Sequence, residues 1–186
     1  RSSSLFQDSE NVKDRFDVEI DGIPYDKKFV FEAIGYNLEG SEVGAAFGLV
    51  QELKLDSILE KRKSTIEKHT NFFRNYTEWF ELPRLNPQAD TVWFAFPLIV
   101  LENAPFSRRD LMVFLEKRNI QTRTIFAGNI LRQPGFKNVR SVVSSDGYPN
   151  ADRVMRRGLL IGAHHGMTEE MINHVHDSFC QFSKQY

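Results

Sequence analysis

The sequence has few of the features that mark secreted or membrane proteins. Among its 186 residues there is one cysteine, Cys180, so an internal disulfide framework is excluded and a reducing, cytoplasmic setting is expected. The longest apolar run, residues 92–101, is too short to cross a bilayer. No signal-peptide pattern opens the chain. We therefore expect a cytoplasmic protein without a membrane partner.

The sequence also has no large excess of positive or negative charge, and it lacks the common phosphate-binding and hydrolase motifs. The formal net charge is −1, which gives no reason to expect a nucleic acid or an anionic membrane as partner. The aromatic stretch 93–96 lacks the basic residues of an RNA-binding strand, so core packing is expected. The sequence contains no Walker loop, no GxGxxG and no GxSxG.

Four histidines near the C-terminus do not have the spacing of metal ligands. His174 and His176 are two positions apart on a predicted helix and point to different faces. No acidic residue is placed to join them or the His164–His165 pair. No metal site is predicted. The segment 162–166 is instead a predicted strand end that turns towards a helix, which either holds a substrate anion or is only a turn.

The stretch Gly35–Leu53 combines a Gly-Tyr-Asn turn with a helix that is rich in small residues. Ser41 is placed to cap a helix over residues 42–54. Gly44 and Gly48 each cost about 1 kcal/mol relative to alanine inside a helix. A helix with two such residues is predicted to have a close neighbour.

From residue 80 onwards, strands and helices alternate, which predicts a small α/β layer with helices packed on a sheet. The predicted strands cover residues 91–101, 121–126 and 159–163, the first of them apolar on both faces and with Pro97 indicating an edge or a bulge. The predicted helix boundaries are a Ser57–Glu60 capping box, a Ser107–Asp110 cap, a left-handed Asn119, an Asn150 cap and a Thr168 cap. In the last helix, Met171, Ile172, Val175, Phe179 and Phe182 are predicted to face inwards.

The segment 122–134 collects polar groups where a predicted strand ends. Arg123 and Arg132 have the guanidinium geometry that binds phosphates and carboxylates, and Asn129 lies between them. On composition alone, two surface arginines that bind nothing are the favoured interpretation, and an oxyanion site is the alternative.

Three motifs together resemble a known family. They are the Gly-Tyr-Asn turn, the stretch TRTIFAGNILRQPGF and the ending IGAHHGMTEE. Over about residues 25–183 the chain resembles the C-terminal part of the DegT-type, pyridoxal-phosphate-dependent sugar aminotransferases and sugar 3-dehydrases. Within that family it is most similar to the branch that acts on CDP-4-keto-6-deoxyglucose in lipopolysaccharide biosynthesis. The resemblance implies an α/β fold, the C-terminal portion of the aspartate-aminotransferase (fold type I) architecture, with helices packed on a small mixed sheet.

The resemblance also implies a domain organisation and a set of binding residues. Residues 1–34 would be an arm left from the large domain, residues 35–80 dimer-interface and linking helices, and residues 81–186 the small α/β domain. Asn37 would reach across a homodimer to the cofactor phosphate of the other subunit. The residues expected to face a nucleotide-linked sugar are Arg123, Asn129 and Arg132. No catalytic residue is assigned to this chain.

Departures from the family pattern limit the expected activity. The segment that carries the cofactor-anchoring lysine, or histidine in the 3-dehydrases, has no counterpart in the sequence, and Glu39 stands where many relatives have a basic residue. We therefore expect a truncated or excised C-terminal fragment that is not catalytic and binds no pyridoxal or pyridoxamine phosphate alone. The alternative is a non-catalytic, stand-alone domain that binds a sugar nucleotide or a full-length partner. The nucleotide sugar, and the choice between dehydration and amination, stay open.

Overall fold

The structure, a computed structural model, describes residues 18–26, 30, 36, 40–84, 86–89 and 91–186. The chain divides into two compact units, Arg1–Val50 and Gln51–Tyr186. We refer to them as the N-terminal unit and the C-terminal unit. None of the helices in these described ranges is both long enough and apolar enough to span a membrane.

The N-terminal unit contains a β-hairpin where the sequence analysis expects an arm or loop. Strand β1 (Val18–Ile20) pairs antiparallel with strand β2 (Ile23–Tyr25). The connecting residues, Asp21 and Gly22, have φ angles of 53° and 79°. Positive φ at both central residues defines the Asp-Gly type I′ turn, whose twist matches that of paired strands. The Asp-Gly pair was therefore a hairpin signal that sequence analysis missed.

Helix α1 (Glu42–Glu52) begins as predicted but buries none of its residues. Ser41 accepts a hydrogen bond from the Gly44 amide at 3.4 Å. No described atom lies within 4 Å of a Cβ built on Gly48, so the predicted close neighbour is not among the described residues. Three large apolar side chains are 65–81% exposed: Val43, Phe47 and Leu49.

The C-terminal unit is built on a four-stranded sheet with the order β3-β4-β6-β5. The strands are β3 (Phe80–Glu81), β4 (Ala95–Val100), β5 (Thr122–Thr124) and β6 (Gly158–Gly162). All three pairings are antiparallel, whereas the sequence analysis expects a mixed sheet. The reason is that β4 and β5 run in the same direction but β6 lies between them. The unit β4–helix–β5 is thus a split crossover.

Four helices complete the unit: α2 (Leu55–Phe73), α3 (Arg108–Glu116), α4 (Pro149–Arg157) and α5 (Glu169–Ser183). The core between α2, α3, α5 and the sheet combines aliphatic side chains with a cluster of aromatic rings. Its buried phenylalanines are Phe73, Phe80, Phe96, Phe106, Phe179 and Phe182. Phe73 lies edge-on to Phe179, with ring centroids 5.0 Å apart, an arrangement favoured by the ring quadrupoles.

Strand β4 is buried on one face only. Its residues alternate between buried and half-buried, so the two faces, both apolar in the sequence, are not covered equally. Phe94, just before the strand, is 69% exposed. Pro97 pairs with Leu160 of β6, while β3 reaches only Ile99 and Val100. Pro97 therefore lies where the other side of β4 has no described strand, which agrees with its missing N–H.

Three predicted helix boundaries are confirmed. Ser107 and Asp110 form a reciprocal capping box, with the Ser107 amide 3.0 Å from Asp110 Oδ2. Asn119 has a φ of 61°, which ends the turn after α3 in the left-handed region. Thr168 Oγ1 accepts a hydrogen bond from the Met171 amide at 3.3 Å and caps α5.

Other boundary predictions are wrong. Helix α2 starts at Leu55, since the Ile58 amide already donates to the Lys54 carbonyl, and Ser57 therefore lies inside the helix rather than at its cap. Helix α4 starts at Pro149, one residue before the predicted Asn150 cap, because proline is favoured in the first helical turn. Met171, predicted to face inwards, is 53% exposed.

Candidate functional site

The loop that follows β5 is fixed to helix α4 by one carboxylate. Asn129 Nδ2 donates to Asp152 Oδ1 at 2.7 Å. Arg132 binds both oxygens of the same carboxylate, with Nε and Nη2 each at 2.5 Å. The two charged hydrogen bonds, together with that from Asn129, hold the pKa of Asp152 well below its usual range, and the carboxylate in turn raises the pKa of Arg132. We call these three side chains the Asp152 clamp.

The Asp152 clamp engages polar atoms of two residues that were predicted to bind substrate, Asn129 and Arg132. Asn129 is buried, and its Oδ1 accepts a hydrogen bond from the Leu131 amide at 3.1 Å. Arg132 remains 58% exposed, with Nη1 outside the bidentate pair. The local role of both residues is to fix the loop, and Arg132 keeps its Nη1 outside these contacts.

Gly128 brings the same loop close to helix α4. Its φ is +66°, and a Cβ built there would lie 2.5 Å from Met155 Cβ. A side chain is therefore excluded both by conformation and by space. The glycine of the Ala-Gly-Asn motif is therefore required for the loop to pack against α4, which the sequence does not show.

Helix α4 is held mainly by polar contacts on its other sides. Arg153 donates to Glu81 on β3 at 2.5 Å and holds the pKa of that carboxyl below its ordinary value. Arg157 donates to the Leu101 carbonyl at 2.9 Å. These contacts fix the helix that carries Asp152, and through it the loop.

Arg123 lies apart from the clamp, in a cleft of about 660 Å³ at the edge of the sheet. The cleft is bordered by the start of β4, the residues before and within β5, the end of β6, α2 and α5. Its polar lining residues are Arg62, Asn119, Gln121, Arg123, His164 and His174. Its apolar lining includes Phe94, Leu160, Ile161, Met167, Met171 and Val175. We call it the Arg62–Arg123 cleft.

The two arginines of the cleft have no partner among the described residues. Arg62 on α2 has a buried Nε without a hydrogen-bond acceptor. Arg123 is exposed on β5, and no described side chain pairs with it. His164 accepts a hydrogen bond at Nδ1 from the Gly166 amide at 3.1 Å, so the proton of its neutral form is on Nε2. None of the described residues that line the cleft carries a carboxylate to neutralise these donors.

The structure brings together only some of the predicted binding residues. Arg123 is separated from Asn129 and Arg132, which belong to the clamp rather than the cleft. The strand end at Gly162 and His164 borders the cleft, in line with one of the two interpretations left open from the sequence. Arg62 was missed, because its place in the charged run 60–63 suggests only a solvated helix face. Asn37 lies outside the described residues.

A buried histidine pair was also missed by the sequence analysis. His69 Nε2 donates to the Gly162 carbonyl at 3.0 Å, so its Nδ1 accepts from His176 Nε2, also at 3.0 Å. His176 stacks on Phe72, with ring centroids 4.0 Å apart. Burial lowers the pKa of His69, and burial together with the neighbouring His69 lowers the pKa of His176 to about 4. In the described part of the chain no group of three or more potential ligands forms a metal site.

Comparison with known proteins identifies the class. A model of the DegT/DnrJ/EryC1/StrS aminotransferase family matches residues 5–180, and the chain belongs to this family. It is 35% identical over 170 residues to the lipopolysaccharide biosynthesis protein RfbH of Salmonella typhimurium, covering 90% of this chain and 39% of RfbH. It is also 35% identical over 170 residues to the dTDP-4-dehydro-2,6-dideoxy-D-glucose 3-dehydratase of Saccharopolyspora spinosa, covering 90% of this chain and 36% of that enzyme.

A solved structure confirms the fold class. The Escherichia coli GDP-4-keto-6-deoxy-D-mannose-3-dehydratase with bound hydrated PLP superposes with a TM-score of 0.72 at 24% identity, over 81% of this chain and 38% of that one. The family match and the two relatives confirm the resemblance to the sugar aminotransferases and 3-dehydrases. The chain spans less than two fifths of the length of each of these three proteins.

The residues of the Arg62–Arg123 cleft do not fit a pyridoxal cofactor. Such a cofactor takes a charged partner, commonly an aspartate, for its ring nitrogen. No carboxylate is among the described residues that line the cleft. Its donor set is instead suited to an oxyanion, because guanidinium groups bind phosphates and carboxylates.

Proposed function

We propose that this chain forms the C-terminal part of a pyridoxal- or pyridoxamine-phosphate-dependent nucleotide-sugar 3-dehydratase of lipopolysaccharide deoxysugar biosynthesis, and that it is not catalytic alone. Membership of the aminotransferase family supports the cofactor class. The observation that supports the proposal most directly is the 35% identity to a 3-dehydratase and to a lipopolysaccharide biosynthesis protein over 90% of the chain. A cytoplasmic location belongs to the same proposal.

In the complete enzyme we assign substrate contacts to the loop and strand of the C-terminal unit. Arg123 supplies a guanidinium that no described residue engages, and Arg132 supplies its free Nη1. Asn129 acts on the substrate through the loop that it holds against Asp152. We assign Asn37 to the cofactor phosphate of the partner subunit.

A homodimer is the proposed assembly. Helix α1 leaves the apolar side chains of Val43, Phe47 and Leu49 exposed. Exposed apolar patches mark association surfaces. Light scattering at micromolar concentration should give twice the mass of one chain. A monomer at that concentration would contradict the assembly.

The first test of the proposed function is the DNA sequence upstream of the region that encodes this chain. An in-frame segment upstream that carries the lysine or histidine motif would support the enzyme. The longest in-frame chain should then remove the C3 hydroxyl of a nucleotide-linked 4-keto-6-deoxysugar when pyridoxamine phosphate is supplied, as followed by mass spectrometry. A product that carries an amino group instead would show an aminotransferase.

A second candidate is a non-catalytic domain that binds a sugar nucleotide or a full-length partner. It is favoured by one observation, the unneutralised arginines of a cleft that lies wholly within the C-terminal unit. If titration of the 186-residue chain with pyridoxamine phosphate leaves the cofactor absorbance unchanged, and no upstream motif exists, this candidate replaces the enzyme.

A further inference from the structure

We propose that residues 134–146 form a docking surface for the rest of the enzyme, the part of its polypeptide that lies outside these 186 residues. We call these residues the strap. The partner surface is apolar and is bordered by acidic groups. The need for a partner follows from the strap alone, whereas the existence of a longer polypeptide rests on the proposed function.

The strap is held at both ends and is uncovered between them. Just before it, Arg132 binds Asp152 of α4, and just after it, Tyr148 is the N-cap residue of the same helix. Every residue from 134 to 146 is exposed. The hydrogen bonds of these residues stay between residues 133 and 148, and one of them runs from the Tyr148 hydroxyl to the Val142 carbonyl at 3.2 Å. The described part of the chain therefore fixes the strap but does not pack on it.

The strap carries large apolar side chains in a segment that faces solvent. Val142 is 94% exposed, and Val139 and Val143 are 54% and 53% exposed. Phe136 is 46% exposed. Surface loops are normally polar, because water solvates apolar side chains poorly. Exposed groups of apolar residues mark contact surfaces with other proteins, and the composition of the strap is of that kind.

The charge of the strap indicates which chemistry its partner has. Residues 117–145 include six basic residues and no acidic one, although the whole chain has 25 acidic residues. Two of the basic residues, Lys137 and Arg140, lie in the strap, and neither forms an ion pair with a described residue. Acidic groups at the border of the partner surface would neutralise both charges and would fix the orientation of the contact.

A second copy of the strap matches this surface less well than a different partner does. In a two-fold symmetric contact the same patch lies on both sides, so the basic side chains of one strap would face those of the other. Like charges that meet across an interface oppose association. An anionic membrane is also a poorer match, because such surfaces are recognised by clusters of about 4–8 basic residues. The strap contains two.

The rest of the enzyme is the partner that the comparisons favour. This chain spans less than two fifths of the length of RfbH and of the two 3-dehydratases, so most of such a polypeptide is available to cover the strap. The strap also follows directly after the loop that contains Asn129 and Arg132, which we assign to the substrate of the complete enzyme. A partner surface on the strap would therefore lie beside that loop.

The test is maleimide labelling of Val142→Cys in the 186-residue chain and in the longest in-frame chain that contains it, with each cysteine followed by mass spectrometry. Val113→Cys, an exposed position on α3 outside the strap, is the matched control. In the 186-residue chain the thiol at position 142 should react at least as fast as that at position 113. In the longer chain, labelling at 142 should slow about 10-fold or more, because it then requires local opening of the contact, and labelling at 113 should change less than about 2-fold.

Charge reversal tests the acidic border of the partner surface. In the longer chain, Lys137→Glu should restore much of the labelling at position 142, because the new carboxylate would face acidic groups. Lys61→Glu, on the exposed face of α2, is the matched control and should leave the protection unchanged. Thermal melting of the same variants in the 186-residue chain should show little change, since positions 61, 137 and 142 are exposed there. That result excludes misfolding as the cause of any change in labelling.

Four results would overturn the docking surface: no in-frame chain longer than 186 residues exists, position 142 is labelled equally in both chains, positions 113 and 142 are protected alike, or Lys137→Glu behaves like Lys61→Glu. Protection that appears when the 186-residue chain is concentrated, or when phosphatidylglycerol vesicles are added, would assign the strap to a second copy or to a membrane and would overturn it as well. A protected strap in a longer chain without dehydratase activity would remove only the proposed function. An active dehydratase with an unprotected strap would remove only the docking surface.

Discussion

Lowering the pH from 7.5 to 5.0 should destabilise the C-terminal unit through the His69–His176 pair. His69 is fully buried, and both of its ring nitrogens are engaged, one by the Gly162 carbonyl and one by His176. A proton added to His69 Nδ1 would face the N–H of His176. The folded unit therefore holds both rings neutral.

The sign and the size follow from proton linkage. Burial, and then the neighbouring His69, place the pKa of His176 at about 4, below the value of 6.5 for an unperturbed histidine. Between these pH values the unfolded chain binds more protons than the folded one, so stability is fully present above about 6.5 and decreases as the pH falls. At about 1.4 kcal/mol per pH unit, over the roughly 1.5 units from pH 6.5 down to 5.0, the upper limit is about 2 kcal/mol. Because His176 is only half-buried, solvent screening reduces this to about 1 kcal/mol. His69 acts in the same direction.

Urea unfolding followed by tryptophan fluorescence measures the effect at pH 7.5, 6.0 and 5.0. His176→Phe keeps the ring over Phe72 but removes the titrating group, at a cost of about 1 kcal/mol at pH 7.5 for the lost hydrogen bond. Its stability should then depend less on pH than that of the wild type. His165→Phe changes an exposed histidine and serves as the matched control.

The pH range from 7.5 to 5.0 separates the effect of the His69–His176 pair on stability from that of the acidic groups. Asp152 and Glu81 have lowered pKa values in the folded unit, so they lose their stabilising effect only as the pH falls through about 4 and below. Equal pH dependence in the wild type and His176→Phe between pH 7.5 and 5.0 would refute the linkage. A wild-type protein more stable at pH 5.0 than at 7.5 would refute the assigned hydrogen-bond pattern as well.

Three further substitutions test the loop and a helix cap by thermal and urea unfolding. Gly128→Ala should cost about 2–4 kcal/mol, from a positive φ and the overlap with helix α4, whereas Gly135→Ala, where no atom lies within 4 Å of the added Cβ, should be nearly neutral. Asp152→Asn should lower the melting temperature and reduce its dependence on salt, because the bidentate pair is lost; Asp146→Asn should do neither. Ser107→Ala should cost about 1 kcal/mol through loss of the cap, and an unchanged midpoint would contradict the capping box.

Short sequence patterns predict the helix ends whose interactions involve only neighbouring residues. The Ser107–Asp110 box and the left-handed Asn119 depend on side chains and backbone within a few residues, so the sequence pattern predicts them directly. The cap predicted at Ser57 is wrong for the opposite reason. Only Leu53 and Lys54 separate α1 from α2, and the Lys54 carbonyl begins the new helix before Ser57 is reached.

The candidate site depended on contacts that no local pattern contains. Arg123 was predicted as a binding residue, and the structure leaves its guanidinium without a described partner. Arg62 precedes it by about sixty residues in the chain, and only the packing of α2 beside the sheet brings it to the same cleft. Asn129 and Arg132 share Asp152, twenty residues or more away, because Gly128 lets the loop approach α4.

The family, the alternation of strands and helices, and the helix ends at Ser107, Asn119 and Thr168 follow from the sequence alone, since motifs, periodicity and caps are encoded by near neighbours. The tertiary structure decided that the sheet is antiparallel, because β6 returns between β4 and β5. The tertiary structure also shows which polar side chains are engaged by other described residues and which are not. That distinction depends on distances between residues remote in the chain, and it places Asn129 and Arg132 in a clamp while Arg62 and Arg123 share a cleft.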